Sequence, residues 1–182
     1  PATVADWLAQ PEDARLELID GELIPKAAPT FEHGQAQLAT GVALSRFARK
    51  PGGPDGPGGW WFGSEVDVLL DGRGYRPDLA GWRRDRVPAM PRERPVTVRP
   101  DWLCEIVSES NRATDTIKKL RRYQQAGVPH YWILDQSARA LTVYRNHADG
   151  YVVVVAAEAA ERVRAEPFDA IELEVAALFG DD

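Results

Sequence analysis

The sequence predicts a mixed α/β fold, in which helices flank a central sheet and a β-hairpin lies near the N-terminus. Short apolar runs, such as WLCEIV at 102–107, have the length and composition of strands buried on both faces. A segment with clear helix signals separates this run from the next one, HYWILD at 130–135. The 182 residues contain no internal repeat, so we expect one domain spanning 1–182.

The N-terminal part predicts two helices and a hairpin. A capping threonine at position 3 begins a short helix. Asp20-Gly21, between the apolar flanks of RLELIDGELI, is a favoured two-residue hairpin turn. Apolar residues at helical spacing after a second capping threonine, Thr30, predict a helix that extends to about Lys50. The Gly/Pro-rich stretch that follows is predicted to be a surface loop.

Strands dominate the middle of the chain. WWFGSEVDVLLDG, at 60–72, is predicted to be one strand, and YRPDLAGW, at 75–82, to be its hairpin partner. A proline-rich connection at 87–100 leads into the buried strand WLCEIV.

A helix predicted at 114–126 follows WLCEIV, with Thr114 or Asp115 as its cap and Gly127 as its end. A helix in this place makes the strands before and after it parallel, through a right-handed crossover. ALTVYR and YVVVVAA then predict two further strands.

Composition and charge narrow the functional classes. The formal net charge is −6, yet the stretch 73–99 carries eight arginines against three acidic residues, whereas 149–182 carries nine acidic residues against two arginines. The single cysteine, Cys104, lies in an apolar run and predicts a buried thiol in a reducing compartment. The sequence shows no membrane segment or signal peptide, so we expect a cytoplasmic protein.

Two carboxylates in apolar surroundings suggest a functional site. Asp78 ends one apolar run and Glu105 lies inside another, and a buried carboxylate needs a positive partner. In the predicted helix, Asp115, Lys119 and Tyr123 form one stripe at i, i+4 and i+8. We therefore expect Lys119 to approach the strand end where Asp78 and Glu105 meet, with Tyr123 one turn away.

The order Pro77-Asp78, then Glu105-Ile106-Val107, then a lysine in the following helix resembles the PD-(D/E)XK nuclease superfamily. The longer pattern YRPDLAGW, DWLCEIVSES and DTIKKLRRYQQAGVPHYWILD is similar to its Uma-type restriction endonuclease branch. ELIDGELI and EHGQAQLATGVALSRF extend the likeness over nearly the whole chain. Val107 stands where the short motif has lysine, and the resemblance transfers that role to Lys119.

The resemblance implies a restriction-endonuclease-like core and Mg²⁺-dependent hydrolysis of DNA, with Asp78, Glu105 and Lys119 as catalytic residues. Asp78, Glu105 and the Ile106 carbonyl would hold Mg²⁺ or Mn²⁺, because hard cations take oxygen ligands. Lys119 would orient the attacking water or stabilise the phosphoryl oxygens. The arginines at 83–99 and the basic residues at 118–122 would neutralise phosphates.

Other interpretations of the sequence stay open. Glu105 and Lys119 also fit a structural ion pair in a catalytically inactive module that binds nucleic acid or protein, or a hydrolase of another phosphoester. Additional ligands are possible among carboxylates near strand ends, although each is expected to be a solvated strand residue: Glu22, Glu65 and Asp67. His33 is predicted to be a surface or capping residue. A homodimer formed through the apolar run at 152–155 is also expected.

Overall fold

The structure is a computed structural model that describes residues 1–108 and 114–181, except for the side chains of 114 and 115. The predicted cap at Thr114 or Asp115, and Asp115 in the predicted stripe, therefore lie outside the described side chains. The helices of the described residues are α1 (Val4–Leu8), α2 (Phe31–Ala43) and α3 (Thr114–Gln125). The strands are β1 (Leu16–Ile19), β2 (Glu22–Pro25), β3 (Trp60–Ser64), β4 (Val68–Leu70), β5 (Arg73–Tyr75), β6 (Leu79–Arg83), β7 (Trp102–Val107), β8 (His130–Asp135), β9 (Ala140–His147), β10 (Gly150–Glu158), β11 (Arg162–Val163) and β12 (Leu173–Glu174).

A six-stranded mixed sheet forms the centre of the molecule, in the order β10-β9-β8-β7-β6-β3. Strands β7 and β8 are parallel, from Trp102 opposite His130 to Val107 opposite Asp135, and α3 connects them. Every residue of β7 is buried. The predicted central strand, the crossover helix and the mixed α/β sheet with flanking helices are thus confirmed.

The predicted single strand at 60–72 is wrong, because the chain divides between two sheets there. Strand β3 pairs with β6 in the large sheet, whereas β4 pairs with β5 in a smaller sheet of order β2-β1-β5-β4. Glu65, between β3 and β4, has a left-handed backbone conformation with φ of 55°. This conformation interrupts the extended chain. Asp78 lies in the matching break between β5 and β6.

The helix and hairpin ends follow their local residues. Asp20 and Gly21 both have positive φ, 51° and 80°, as a type I′ turn requires, so the predicted hairpin of β1 and β2 is confirmed. The Thr30 side chain accepts a hydrogen bond from the backbone of His33 and caps α2. This helix ends at Ala43, earlier than predicted, and a short 3-10 turn follows it. Gly127 has a φ of 74° just after α3.

Apolar residues cover both faces of the large sheet. One face packs Trp102 and Trp132 around Phe168, and the opposite face packs Tyr123 and Tyr131. Cys104 is buried in the first of these clusters, as predicted. Among the described helices, none has both the length and the apolar character needed to cross a membrane.

The packing of β5 against α1 gives a test of the fold. A Cβ at Gly74 would lie 2.6 Å from three ring atoms of Trp7, a fully buried residue. We expect Gly74→Ala to lower the free energy of unfolding by about 1 to 3 kcal/mol through overpacking. Gly41→Ala is the matched control, because a Cβ at Gly41 on α2 would have no atom within 4 Å. It should instead raise the free energy of unfolding by up to about 1 kcal/mol. Urea denaturation measures both, and equal effects would contradict the close packing of Gly74 against Trp7.

Candidate active site

The carboxylate of Asp78 lies at the point where the two main sheets separate, and it is 1% exposed. Its Oδ1 accepts a hydrogen bond from Lys26 Nζ at 2.6 Å and lies 3.1 Å from His33 Nε2. Its Oδ2 accepts a hydrogen bond of 2.7 Å from the backbone N–H of Ile106. Asp78 therefore joins the β2 end, α2 and the central strand β7.

Glu105 forms a second, more buried set of contacts. Its Oε1 accepts hydrogen bonds from Lys119 Nζ at 3.2 Å and from the hydroxyl of Tyr123 at 2.9 Å. Lys119 Nζ also lies 3.3 Å from Glu17 Oε1 and is buried. The structure thus brings Lys119 and Tyr123 to Glu105, as the helical stripe predicts, and adds an acid from β1.

The strand register brings these two sets of residues together. Strands β6 and β7 are antiparallel with Leu79 opposite Cys104, so the next position in the same register sets Asp78 beside Glu105. Asp78 and the partly exposed side chains around it form the outer group: Lys26, His33, Glu65 and Asp78. Residues deeper in the protein form the inner group: Glu17, Glu105, Lys119 and Tyr123.

Burial and neighbouring charges shift the pKa values of the two acids in opposite directions. Burial raises the pKa of Glu105 to about 7, although the charge of Lys119 acts against the rise. Burial also acts to raise the pKa of Asp78, but the hydrogen bond with His33 and the charge of Lys26 outweigh it and hold this pKa below its usual range. Asp78 is therefore the firmly ionised acid of the pair, and Glu105 changes its charge near neutral pH.

Nearby carboxylates raise the pKa values of both basic residues of the outer group. The hydrogen bond with Asp78 raises the pKa of His33, although burial opposes the rise. Burial lowers the pKa of Lys26, but the nearby charges of Glu105, Asp78 and Glu65 more than compensate and raise it above its usual value. The outer group consequently combines two carboxylates with a lysine and a histidine whose pKa values both lie above their usual values.

The outer group also fits a divalent cation. One ligand atom from each of His33, Glu65 and Asp78 lies within 4.8 Å of the other two. Glu65 Oε1 is buried and finds no hydrogen-bond donor in the described part of the chain. Carboxylate and imidazole are common metal ligands in proteins, so the donor set is chemically suitable. The three ligand atoms that lie close together thus belong to His33, Glu65 and Asp78. Glu105, the other acid predicted to bind the metal, belongs to the inner group with Lys119.

Of the three further carboxylates considered as possible ligands, two lie outside the outer group. Glu22 is exposed on β2. Asp67 is buried, so the expectation of a solvated residue is wrong for it, and it accepts hydrogen bonds from Arg76 at 2.8 Å and Arg94 at 2.7 Å. Glu65, also expected to be solvated, is instead part of the outer group.

Three residues of the site escape the sequence interpretation. The backbone N–H of His33 donates to the capping side chain of Thr30, and its ring lies 3.1 Å from Asp78, so the expectation of a surface or capping residue is corrected. The sequence does contain a signal, since His33 and Gln37 are polar residues one turn apart on the same face of the predicted helix. In the structure Gln37 donates to the Asp78 carbonyl at 2.6 Å. Lys26 and Glu17 carry no such periodic signal.

Several arginines of the stretch 83–99, which is predicted to neutralise phosphates, have partners within the protein. Arg83 pairs with Asp85, and Arg86 forms several bonds with the buried Asp101. Arg84 stacks over the ring of Trp61, with its guanidinium carbon 3.6 Å from the ring centroid. These contacts stabilise the connection after β6, and the neutralisation of phosphates by this stretch stays a prediction.

The hydroxyl of Tyr123 gives a test of the inner group. We expect Tyr123→Phe to lower the free energy of unfolding by about 1 to 2 kcal/mol, because Glu105 loses a donor inside the protein. Tyr75 is the control, since its ring packs 5.2 Å from that of Tyr123 and its buried hydroxyl has no hydrogen-bond partner among the described residues. Tyr75→Phe should leave the stability nearly unchanged. Equal losses in urea denaturation would contradict the role of the Tyr123 hydroxyl.

Comparison with known proteins places this chain in a family. A solved structure, described as that of a putative nuclease belonging to DUF820 from Anabaena variabilis ATCC 29413, matches with a TM-score of 0.73 and 21% sequence identity, over 99% of this chain and 98% of its own. At this identity the likeness shows a shared fold. The search of curated proteins found no match. A family model with the description "Putative restriction endonuclease" matches residues 2–176, and the chain therefore belongs to this family, Uma2.

Proposed function

We propose that the protein is a metal-dependent endonuclease that hydrolyses phosphodiester bonds of DNA. The observation that carries the proposal is the placement of Asp78, Glu105 and Lys119, from three separate segments, around the interior strand β7 of the central sheet. Membership of a family described as restriction endonucleases supports the same reaction class. The order of these residues along the chain also agrees with the PD-(D/E)XK pattern.

The proposed metal is Mg²⁺ or Mn²⁺, held by Asp78, Glu105 and the Ile106 carbonyl. When bound, such an ion neutralises the phosphate and lowers the pKa of a coordinated water. Asp78 suits this role because it stays ionised, and its second oxygen is fixed by the Ile106 N–H at 2.7 Å. A fixed carboxylate requires little rearrangement when the site is loaded.

Lys119 and Tyr123 orient the carboxylate of Glu105 in this proposal. The Lys119 ammonium lies between Glu17 and Glu105, and the Tyr123 hydroxyl binds the same Glu105 oxygen as Lys119. These contacts fix the carboxylate of Glu105, and the ammonium supplies positive charge beside the place where charge builds on the phosphate.

DNA is the proposed substrate, and the outer face of α3 is its proposed contact. Lys118 and Arg121 are exposed there, next in sequence to the buried Lys119. Phosphate contacts of this kind predict binding that weakens steeply as salt rises. The proposal takes 1–182 as one domain, because the site combines side chains from Glu17 to Tyr123. It also takes the protein to act in the cytoplasm.

A second candidate is a catalytically inactive module on the same fold. The observation that favours it is the extent of internal pairing, since Lys119 contacts two acids and Asp78 has three polar contacts. A cluster of this kind can be purely structural. Titration with Mn²⁺ discriminates the two candidates, because only the enzyme needs a metal bound at Asp78.

Substitution of the proposed catalytic residues tests the enzyme. We expect Asp78→Asn, Glu105→Gln and Lys119→Met each to lower the rate of Mn²⁺-dependent plasmid cleavage by about a hundredfold or more. Glu22→Gln, on the exposed side of β2, is the matched acidic control and should retain the parent rate. Circular dichroism confirms that each variant folds. Unchanged cleavage by any of the three folded variants would refute its catalytic role.

Self-association through β10 is a further part of the proposal. This strand lies at the edge of the large sheet, and Val152 and Val153 are 40% and 56% exposed. Edge strands with apolar side chains pair readily with other chains. We expect light scattering to give a dimer mass for the parent protein and a monomer mass for Val153→Lys. A monomer mass for the parent protein would contradict the dimer.

A further inference from the structure

The ammonium of Lys26 lies among three oxygen atoms of the outer group. It is 2.6 Å from Asp78 Oδ1, 2.5 Å from the carbonyl oxygen of Arg76 and 3.3 Å from Glu65 Oε2. An ammonium has three donors, and each has one oxygen within reach. Lys26 is thus bound as an internal cation rather than paired with a single acid.

The same oxygens are the ligands that a divalent cation would take. Two carboxylates and a backbone carbonyl form a hard donor set. His33 Nε2 lies 3.1 Å from the Asp78 oxygen that Lys26 contacts, and it adds a nitrogen ligand. Glu65 Oε1, buried and without a described donor, offers a further coordinating atom. An ion and the Lys26 ammonium would therefore compete for Asp78 Oδ1 and Glu65 Oε2.

We propose that His33, Glu65 and Asp78 form a divalent-metal site whose place is held by the Lys26 ammonium until the metal displaces it. The inference rests on the proposed function only in that a divalent ion binds at Asp78. It adds His33 and Glu65 as ligands and makes Lys26 a positioning residue. Because the set includes an imidazole, it favours Mn²⁺ over Mg²⁺.

The surroundings of Lys26 allow it to leave the site. Its side chain is 13% exposed, and it follows the end of β2 on the solvent side. Lys119, by contrast, is 4% exposed and enclosed by Glu17 and Glu105. Movement of Lys26 toward solvent therefore exchanges its three contacts for water, whereas Lys119 stays in place.

Calorimetric titration with MnCl₂, in the absence of DNA, tests the competition. If Lys26 holds the site most of the time, its removal raises the apparent affinity by the inverse of the open fraction. We expect Lys26→Gln to bind Mn²⁺ about tenfold or more tightly than the parent protein. Arg15→Gln is the charge-matched control, because Arg15 also contacts Glu65 Oε2, at 3.1 Å, but not Asp78 Oδ1. It should raise the affinity about fivefold or less.

The titration separates displacement of Lys26 from a general effect of charge. Equal gains for Lys26→Gln and Arg15→Gln would mean that charge alone matters, and would overturn the place-holding role. Weaker binding by Lys26→Gln would overturn it as well. His33→Gln should bind Mn²⁺ more weakly and lose the preference for Mn²⁺ over Mg²⁺, and an unchanged preference would remove His33 from the site.

A measurement on the parent protein needs no variant. An amine-reactive ester, followed by mass spectrometry, reports how accessible each lysine is. We expect labelling of Lys26 to rise several-fold at saturating Mn²⁺, while labelling of the buried Lys119 stays low. Unchanged or reduced labelling of Lys26 would overturn the displacement. Neither metal binding nor labelling requires cleavage, so a failure of the nuclease proposal would be seen separately in the plasmid assay.

Discussion

The carboxylate of Asp78 is the interaction on which the site depends. One of its oxygens binds the backbone of β7, and the other contacts a lysine from the hairpin and a histidine from α2. An ionised carboxylate that is 1% exposed is stable only with such partners. Asp78 consequently fixes the relative positions of the hairpin, α2 and the central strand through one side chain.

The separation of the two main sheets creates the space in which Asp78 lies. Glu65, in a left-handed backbone conformation, separates β3 from β4, and Asp78 lies in the break between β5 and β6. Both acids therefore lie where the regular strand pairing stops. The backbone N–H of Glu65 also donates to the Asp78 carbonyl at 3.3 Å. A departure from regular strand geometry is therefore the feature that brings two carboxylates together, as is common at functional sites.

Local signals explain which parts of the structure the sequence predicts. The composition of WLCEIV and the Gly127 stop define β7 and α3, and helical spacing takes Lys119 and Tyr123 to Glu105. The break within 60–72 has no Gly or Pro at Glu65 to reveal it. The partnerships of Glu17 and Lys26 depend on the hairpin packing against distant strands, which periodicity does not encode.

Glu65 differs from the residues of the inner group in its hydrogen bonding. Buried polar atoms in native proteins are nearly always satisfied, and one that is left without a partner costs about 1 to 3 kcal/mol. The inner group meets this requirement, because the Glu105 oxygen that faces α3 receives two donors. Glu65 Oε1 does not meet it within the described chain, although Arg15 and Lys26 both contact the other oxygen of the same carboxylate. In the proposed metal site, a bound cation would supply a partner for Glu65 Oε1, as the Lys26 ammonium does for Oε2.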